Sequence, residues 1–423
     1  MLNRRAFCQV VSVSALCTAA GRSLRAEQPR KRMAIICTHW IMQSHAQHMG
    51  DRFLTGYPRK GRWHRPPLEV VSLYVDQKPA GDQSAERARE FGFTIYPTIA
   101  AALCCGGDRL AVDAVLIIGE HGDYPVNALG QKQYPRYEFF KQVVDVFRRS
   151  GTSAPVFNDK HLSWNFAWAR EMVALAQELR FPLLAGSSLP VTWRMPAVDL
   201  PYGAQVEEAL VVGFGPLDIY DFHALETLQA FVERRHGGET GVAWVEVWRG
   251  DAVWQALAQP DWDRGGIDPQ LFEACLSRSQ TLAQARPGFG HRYPTSEELR
   301  QLVPEPIAYR IQYRDGTRAT VLMLNGLVKD FTFAARLRGQ SERLSTLVYL
   351  PPQPNVVYSA ALMSKVEEMF LTGHAPWPVE RTLLTSGLVS FGLQSLFEHS
   401  RRLETPELAI RYVAPRESQF WRE

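Results

Sequence analysis

Residues 111–118 read AVDAVLII and run directly into Gly119, Glu120 and His121. An almost unbroken apolar run closed by a glycine is the pattern of a strand buried on both faces, as in a parallel sheet. Working outward, the same kind of run recurs at residues 32–38 (RMAIICT), 68–75 (LEVVSLYV, ending at Asp76), 93–96, 155–157 and 182–185. The fifth of these six runs leads into Asn158, Asp159, Lys160 and His161. Between the runs lie helical patterns at 44–53, 84–91, 99–103, 137–149 and 165–179, with Gly92 and Gly151 placed to end two of them. Strands alternating with helices of this length imply βαβ units with right-handed crossovers. The expected fold is α/β, beginning with a Rossmann-type, doubly wound parallel sheet.

The second half changes character. A helix over 221–235 is followed by longer, alternating runs at 242–249, 307–313, 320–324 and 347–350, then by helices at 357–370 and 382–401. That pattern predicts a C-terminal α+β domain with an open, mostly antiparallel sheet and helices on one face. Pro190, Pro196 and Pro201 cluster around Trp193 and Arg194 and place the boundary there, giving domains at 27–195 and 196–423. The uncovered sheet face predicts a homo-oligomer.

A chain of 423 residues exceeds one ordinary core, which stops growing near about 250–300 residues. The net charge of +3 gives no reason to expect nucleic acid as a partner. The N-terminus is atypical: Arg4 and Arg5 precede Ala6 and Phe7, a short apolar run comes next, and no acidic residue occurs before Glu27. This resembles a twin-arginine export signal over residues 1–26, cleaved after Ala20 or Ala26. A Sec-type signal or a retained tail is the other reading. The run is too short to span a bilayer, which takes about 20 apolar residues, so a periplasmic or otherwise exported protein without stable membrane insertion is expected. Beyond that segment, Cys37, Cys104, Cys105 and Cys275 form neither a disulfide framework nor a zinc spacing.

The order of elements resembles the glucose-fructose oxidoreductase, inositol dehydrogenase and MocA family (Gfo/Idh/MocA). Residues 68–103 are similar to that family's second strand, acidic residue, helix and following turn. Residues 112–117 (VDAVLI) are similar to its "vDaVlI" strand, residues 155–186 to its "EKP-(helix)-G" segment with Lys160 on the family's lysine, and residues 364–401 to its closing helices. The resemblance implies an oxidoreductase acting on a sugar, polyol or related carbohydrate with NAD or NADP. It puts Thr38, His39, Asp76, Glu120, His121 and Asp159 on the cofactor side, and Arg194 and His161 on the substrate side. Two departures stand out. The first turn, Cys37 to Met42, holds no glycine, although glycines let a backbone approach a pyrophosphate; His39 and Trp40 are expected to crowd that approach and weaken dinucleotide binding. The family's D-x-x-x-H motif becomes Asp218 and Asp221 ahead of His223, with one position inserted.

Ligands of open parallel sheets sit beyond the carboxyl ends of the strands. The residues directly after the predicted strands include His39, Asp76, Glu120, His121, Asp159, Lys160 and His161, a concentration of titratable groups on one edge. A lysine there serves proton transfer at a carbinol when burial lowers its pKa; otherwise it is salt-bridged to Asp159 or Glu120. By the resemblance, His223 is its acid–base partner and either Asp218 or Asp221 the orienting carboxylate. Asp76 either accepts from a ribose hydroxyl or caps its loop. His39, His45 and His48 invite a metal, but no strong ligand spacing is present, and polar residues lining a cleft is the preferred reading. The alternative function is a non-redox carbohydrate-binding or metal-dependent protein on the same scaffold, without dinucleotide binding.

Overall fold

The computed structural model describes residues 30–286 and 292–422; the expected export signal lies outside them. Lys31–Cys37 (β1), Leu68–Val75 (β2), Thr94–Ile95 (β3), Ala114–Ile118 (β4), Val156–Asp159 (β5) and Leu183–Gly186 (β6) form a parallel sheet in the order β3-β2-β1-β4-β5-β6. That is the strand order of dinucleotide-binding sheets, with its reversal, and hence its crevice, between β1 and β4. The connecting helices are Ser84–Phe91 (α1), Ile99–Cys104 (α2), Arg136–Ser150 (α3) and Phe166–Glu178 (α4). α1 ends on Gly92 in the left-handed region, φ 78°, which glycine adopts without strain. α4 starts at Asn165, whose side chain accepts from the backbone N–H groups of Ala167 and Trp168. The helix expected over 44–53 is instead a π-helical turn, Ala46–Gly50, running into a single α-turn, Asp51–Leu54.

The second sheet contains Arg194–Met195 (β7), Val206–Gly213 (β8), Val242–Arg249 (β9), Ile307–Tyr313 (β10), Arg318–Met323 (β11), Phe331–Leu337 (β12), Leu344–Val348 (β13) and Leu403–Glu404 (β14), in the order β14-β9-β10-β11-β8-β12-β13-β7. β8 pairs parallel with β11 and the remaining neighbours pair antiparallel, so the sheet is mixed. β8 was not anticipated, because Glu207 and Glu208 interrupt its apolar pattern; Glu208 is buried and satisfied by Arg336 on β12 at 3.0 Å. The later helices are Tyr220–Val232 (α5), Asp251–Leu257 (α6), Pro269–Arg278 (α7), Ser296–Leu302 (α8), Tyr358–Thr372 (α9) and Glu380–Phe397 (α10).

Both faces of this sheet are covered. α5 and α10 lie on one side, their Phe222, Leu225 and Leu384 sharing a core with Val211 and Tyr309. On the other side Val253, Leu271, Phe272 and Leu299 of α6–α8 bury Leu210, Val212 and Leu322. The expectation of helices on one face alone is thus corrected: α6, α7 and α8 supply in cis the cover that a second subunit was expected to give, which removes the apolar face on which the homo-oligomer was argued. α9 crosses back to the first sheet, where Met363, Val366 and Phe370 pack with Ile35, Trp40 and Phe53. Burying side chains of this size contributes roughly 1.5–3 kcal/mol each. A small hairpin, Tyr57–Arg59 with Arg62–His64, is clipped to α9: Glu367 accepts from Tyr57 Oη at 2.5 Å and from His64 Nε2 at 2.8 Å.

Candidate active site

The carboxyl ends of β1, β4, β5 and β6 meet the N-terminal end of α5 around one cavity of about 130 Å³. At about 30 Å³ per water, that is space for a compact small molecule. His45, Glu120, His121, Asp159, Lys160 and His223 line it, with Tyr220, Phe331, Leu350 and Tyr358 as an apolar wall. Lys160 comes directly after β5 with φ 67°, its backbone N–H held by Gly186 O at 3.2 Å. Its Nζ lies 2.5 Å from His223 Nε2. Burial lowers the Lys160 pKa, with Glu120 and Asp159 pulling the other way. Burial, then Lys160, holds His223 well below the usual imidazole value.

The other nitrogen of His223, Nδ1, lies 2.5 Å from Ser187 Oγ. That oxygen already accepts from the backbone N–H of Leu189 at 3.1 Å. Its own proton is therefore available to Nδ1, which leaves the ring proton on Nε2, facing an uncharged Lys160; a charged Lys160 inverts the arrangement. Ser187 is fixed from below by Glu226 on α5, which accepts from its backbone N–H at 3.4 Å and from Thr385 Oγ1 at 2.6 Å. Gly186 is required here, because a Cβ at that position would run into the Glu226 carboxylate. Sequence reasoning passed over Ser187, although the rule that selected residues after the other strands selects it after β6.

The two carboxylates considered as orienters of His223 go elsewhere. Asp218 Oδ2 accepts from the Lys132 backbone N–H at 2.8 Å, and burial with the neighbouring Asp221 raises it to about 7. Asp221 is fully buried and accepts from Tyr309 Oη at 2.6 Å. The two expected substrate residues are also not at the cavity. Arg194 is buried in an ion pair with Asp199 at 2.7 Å and stacks on Phe231 and Phe420. His161 Nε2 accepts from Arg136 at 3.1 Å beneath the site, and burial with Arg136 holds its pKa well down.

Of the expected cofactor residues, Glu120 is ion-paired with Arg136; burial favours its neutral form, but Lys160 and Arg136 outweigh that and lower its pKa. Thr38 Oγ1 donates to Glu120 O at 2.6 Å. Asp159 contacts His45 Nδ1 at 2.6 Å. His39 stacks on His121, 5.7 Å between centroids, and the backbone N–H of His45 donates to His121 Nδ1 at 3.5 Å. The expected crowding by Trp40 is corrected: it is wholly buried in the core over Gly50. The crevice is crossed instead by the loop after β4. Tyr124 Oη donates to Asp76 Oδ2 at 2.7 Å, Gln77 Nε2 donates to Asp123 O at 3.0 Å, and Asp123 N–H returns to Gln77 Oε1 at 2.9 Å. Among the described residues, no group of three or more His, Cys, Asp or Glu is placed to hold a metal ion, and no helix is long and apolar enough to cross a membrane.

No protein-family model and no curated protein matches the chain. Solved structures do. The GenD2 enzyme of gentamicin A biosynthesis, in complex with NAD, has 12% identity and a TM-score of 0.54, over 89% of this chain and 96% of that one. Myo-inositol dehydrogenase from Lactobacillus casei, in complex with NAD(H) and myo-inositol, has 11% identity and a TM-score of 0.53, over 92% and 99%. A probable dehydrogenase from Thermotoga maritima has 11% identity and a TM-score of 0.53, over 89% and 99%. This chain shares their fold along nearly its whole length, which is the fold of the family that the sequence resembles.

Proposed function

We propose that this protein is an oxidoreductase that oxidises a carbinol of a sugar, polyol or related carbohydrate with NAD or NADP. The observation that carries the reading is the Lys160–His223 contact at 2.5 Å, at the carboxyl edge of a sheet in dinucleotide-binding order. The uncharged Lys160 amine takes the hydroxyl proton of the substrate. Once charged, Lys160 donates to His223 Nε2, the ring proton then standing on Nδ1 and donating to Ser187 Oγ, which holds the ring in register. Tyr220, Phe331 and Tyr358 cover the apolar side of a carbohydrate ring and exclude water. When bound, the dinucleotide supplies the hydride acceptor.

The residues present fit that cofactor at its two ends. Asp76 is exposed at the end of β2, where a carboxylate accepts from ribose hydroxyls, and the Lys160–His223 pair stands where the carbinol reacts. Between these ends the loop Glu120 to Tyr124 spans the crevice, and it has to give way on binding. That bridging also favours a second reading, a non-redox carbohydrate-binding protein on the same scaffold. Calorimetry with NAD and NADP, together with absorbance assays over a panel of polyols and sugars, separates the two. Dinucleotide binding with polyol-dependent reduction supports the first; carbohydrate binding without either supports the second. Export through the twin-arginine route, resting on Arg4 and Arg5, is part of the proposal.

A further inference from the structure

A second titratable pair faces the same cavity and takes no part in the scheme above. His45 comes from the turn after β1, not from β5 or α5, and keeps 20% of its side chain exposed while its partner Asp159 keeps 1%. Its Nδ1 lies 2.6 Å from Asp159 Oδ2. Burial holds the His45 imidazole well below its ordinary value; Lys160, His48 and Arg136 act in the same direction and Glu120 against it. His121 also faces the ring edge-on, 5.0 Å between centroids. Asp159 is raised by burial to about 6. Near neutral pH the carboxylate is therefore charged and the imidazole is not, so Nδ1–H donates to Asp159 and the lone pair sits on Nε2. Among the described residues the ring hydrogen-bonds through Nδ1, and His45 lines the cavity. A neutral imidazole held through one nitrogen by a buried carboxylate, with the other open to a cavity, is the arrangement of a general base.

We propose that His45, positioned by Asp159, is a second acid–base group of this cavity and moves a proton at a substrate carbon next to a carbonyl. The inference rests on the reading that the cavity takes hydroxylated carbonyl compounds. Lys160 and His223 serve the oxygen, so a C–H bond beside that carbon needs a base from another wall. The step balances without oxidant or reductant. The C–H bond breaks and its proton goes to His45 Nε2. The electron pair forms the C=C bond of an enediol, and the carbonyl oxygen takes a proton from Lys160 in its charged state, the one in which His223 Nδ1–H donates to Ser187 Oγ. Reversal returns a proton to carbon, so the cycle exchanges that hydrogen with solvent.

The test is deuterium wash-in from D₂O into 2-keto-myo-inositol by the full chain with no dinucleotide added, followed by proton NMR. The wild type should exchange the hydrogens beside the carbonyl at least about a hundredfold faster than buffer, the low end for a positioned base. His45→Ala should fall to the buffer rate and be rescued by added imidazole. Asp159→Asn should slow exchange about tenfold and shift its pH midpoint. Wild-type exchange no faster than buffer, or exchange unchanged in His45→Ala, overturns the proposal. Wash-in without polyol-dependent dinucleotide reduction keeps this inference and sinks the oxidoreductase reading; reduction without wash-in does the reverse.

Discussion

Lys160 Nζ and His223 Nε2 lie 2.5 Å apart, although 63 residues separate them in the chain. Two basic nitrogens at that distance hold one proton between them, since a second would put like charges in contact in a buried site. Lys160 depresses the pKa of His223 beyond what burial alone does. Lys160→Met and His223→Ala should each lower kcat for polyol-dependent NAD(P) reduction by about 10²–10⁴-fold. Their melting temperatures should stay near that of the wild type, because neither side chain belongs to an apolar core. Full activity in either variant would remove the pair from the chemistry.

Ser187 acts on the reaction through His223. Ser187→Ala should shift His223 toward the Nδ1–H tautomer, read from imidazole ¹⁵N shifts, and lower kcat about tenfold with KM little changed. Ser187→Thr, which keeps the hydroxyl, should restore both. An unchanged tautomer in the alanine variant would leave Ser187 as packing only.

Tyr124 and Gln77 close the crevice from the loop side. The hydrogen bond from Tyr124 Oη to the Asp76 carboxylate, at 2.7 Å, is of the charge-assisted kind, contributing about 1.5–3 kcal/mol. Binding a dinucleotide across Asp76 has to break it. Tyr124→Phe combined with Gln77→Ala should therefore tighten NAD or NADP binding by about tenfold in calorimetry. Unchanged or weaker binding would show that the loop is not the obstacle.

Asp218 gives stability a pH dependence of predictable sign. Its folded pKa, about 7, lies above the unfolded value near about 3.9, so the folded state binds the extra proton. Stability from this group is present at low pH and is lost as pH rises between those two values. Asp218→Asn, which keeps an acceptor for the Lys132 N–H, should raise Tm more at pH 8 than at pH 5. The gain at pH 8 should be on the order of 2 kcal/mol, after discounting for relaxation. Equal shifts at both pH values would refute the assignment.

Arg4 and Arg5 carry the export proposal. Replacing both with Lys should leave the protein in the cytoplasmic fraction of a host with twin-arginine transport. Unchanged arrival in the periplasm would rule that route out.

The sequence alone determined the parallel sheet, because strands buried on both faces leave apolar runs that survive any tertiary context, as residues 111–118 do. It also determined which loops converge, since parallel strands put all their carboxyl ends on one edge, and that brought Lys160 into the candidate site. It could not show β8, whose Glu208 looks exposed until Arg336 of a strand far along the chain neutralises it. Nor could it show that α6–α8 cover the second sheet, because which face a helix covers depends on packing between residues distant in the chain. The partners of the polar groups were decided by the tertiary structure as well. Asp221 stands nearer to His223 in sequence than Ser187 does, yet Asp221 meets Tyr309 and Ser187 meets the ring. A buried polar atom bonds to whichever complementary group the packed backbone brings within about 3 Å, and sequence spacing does not encode that distance.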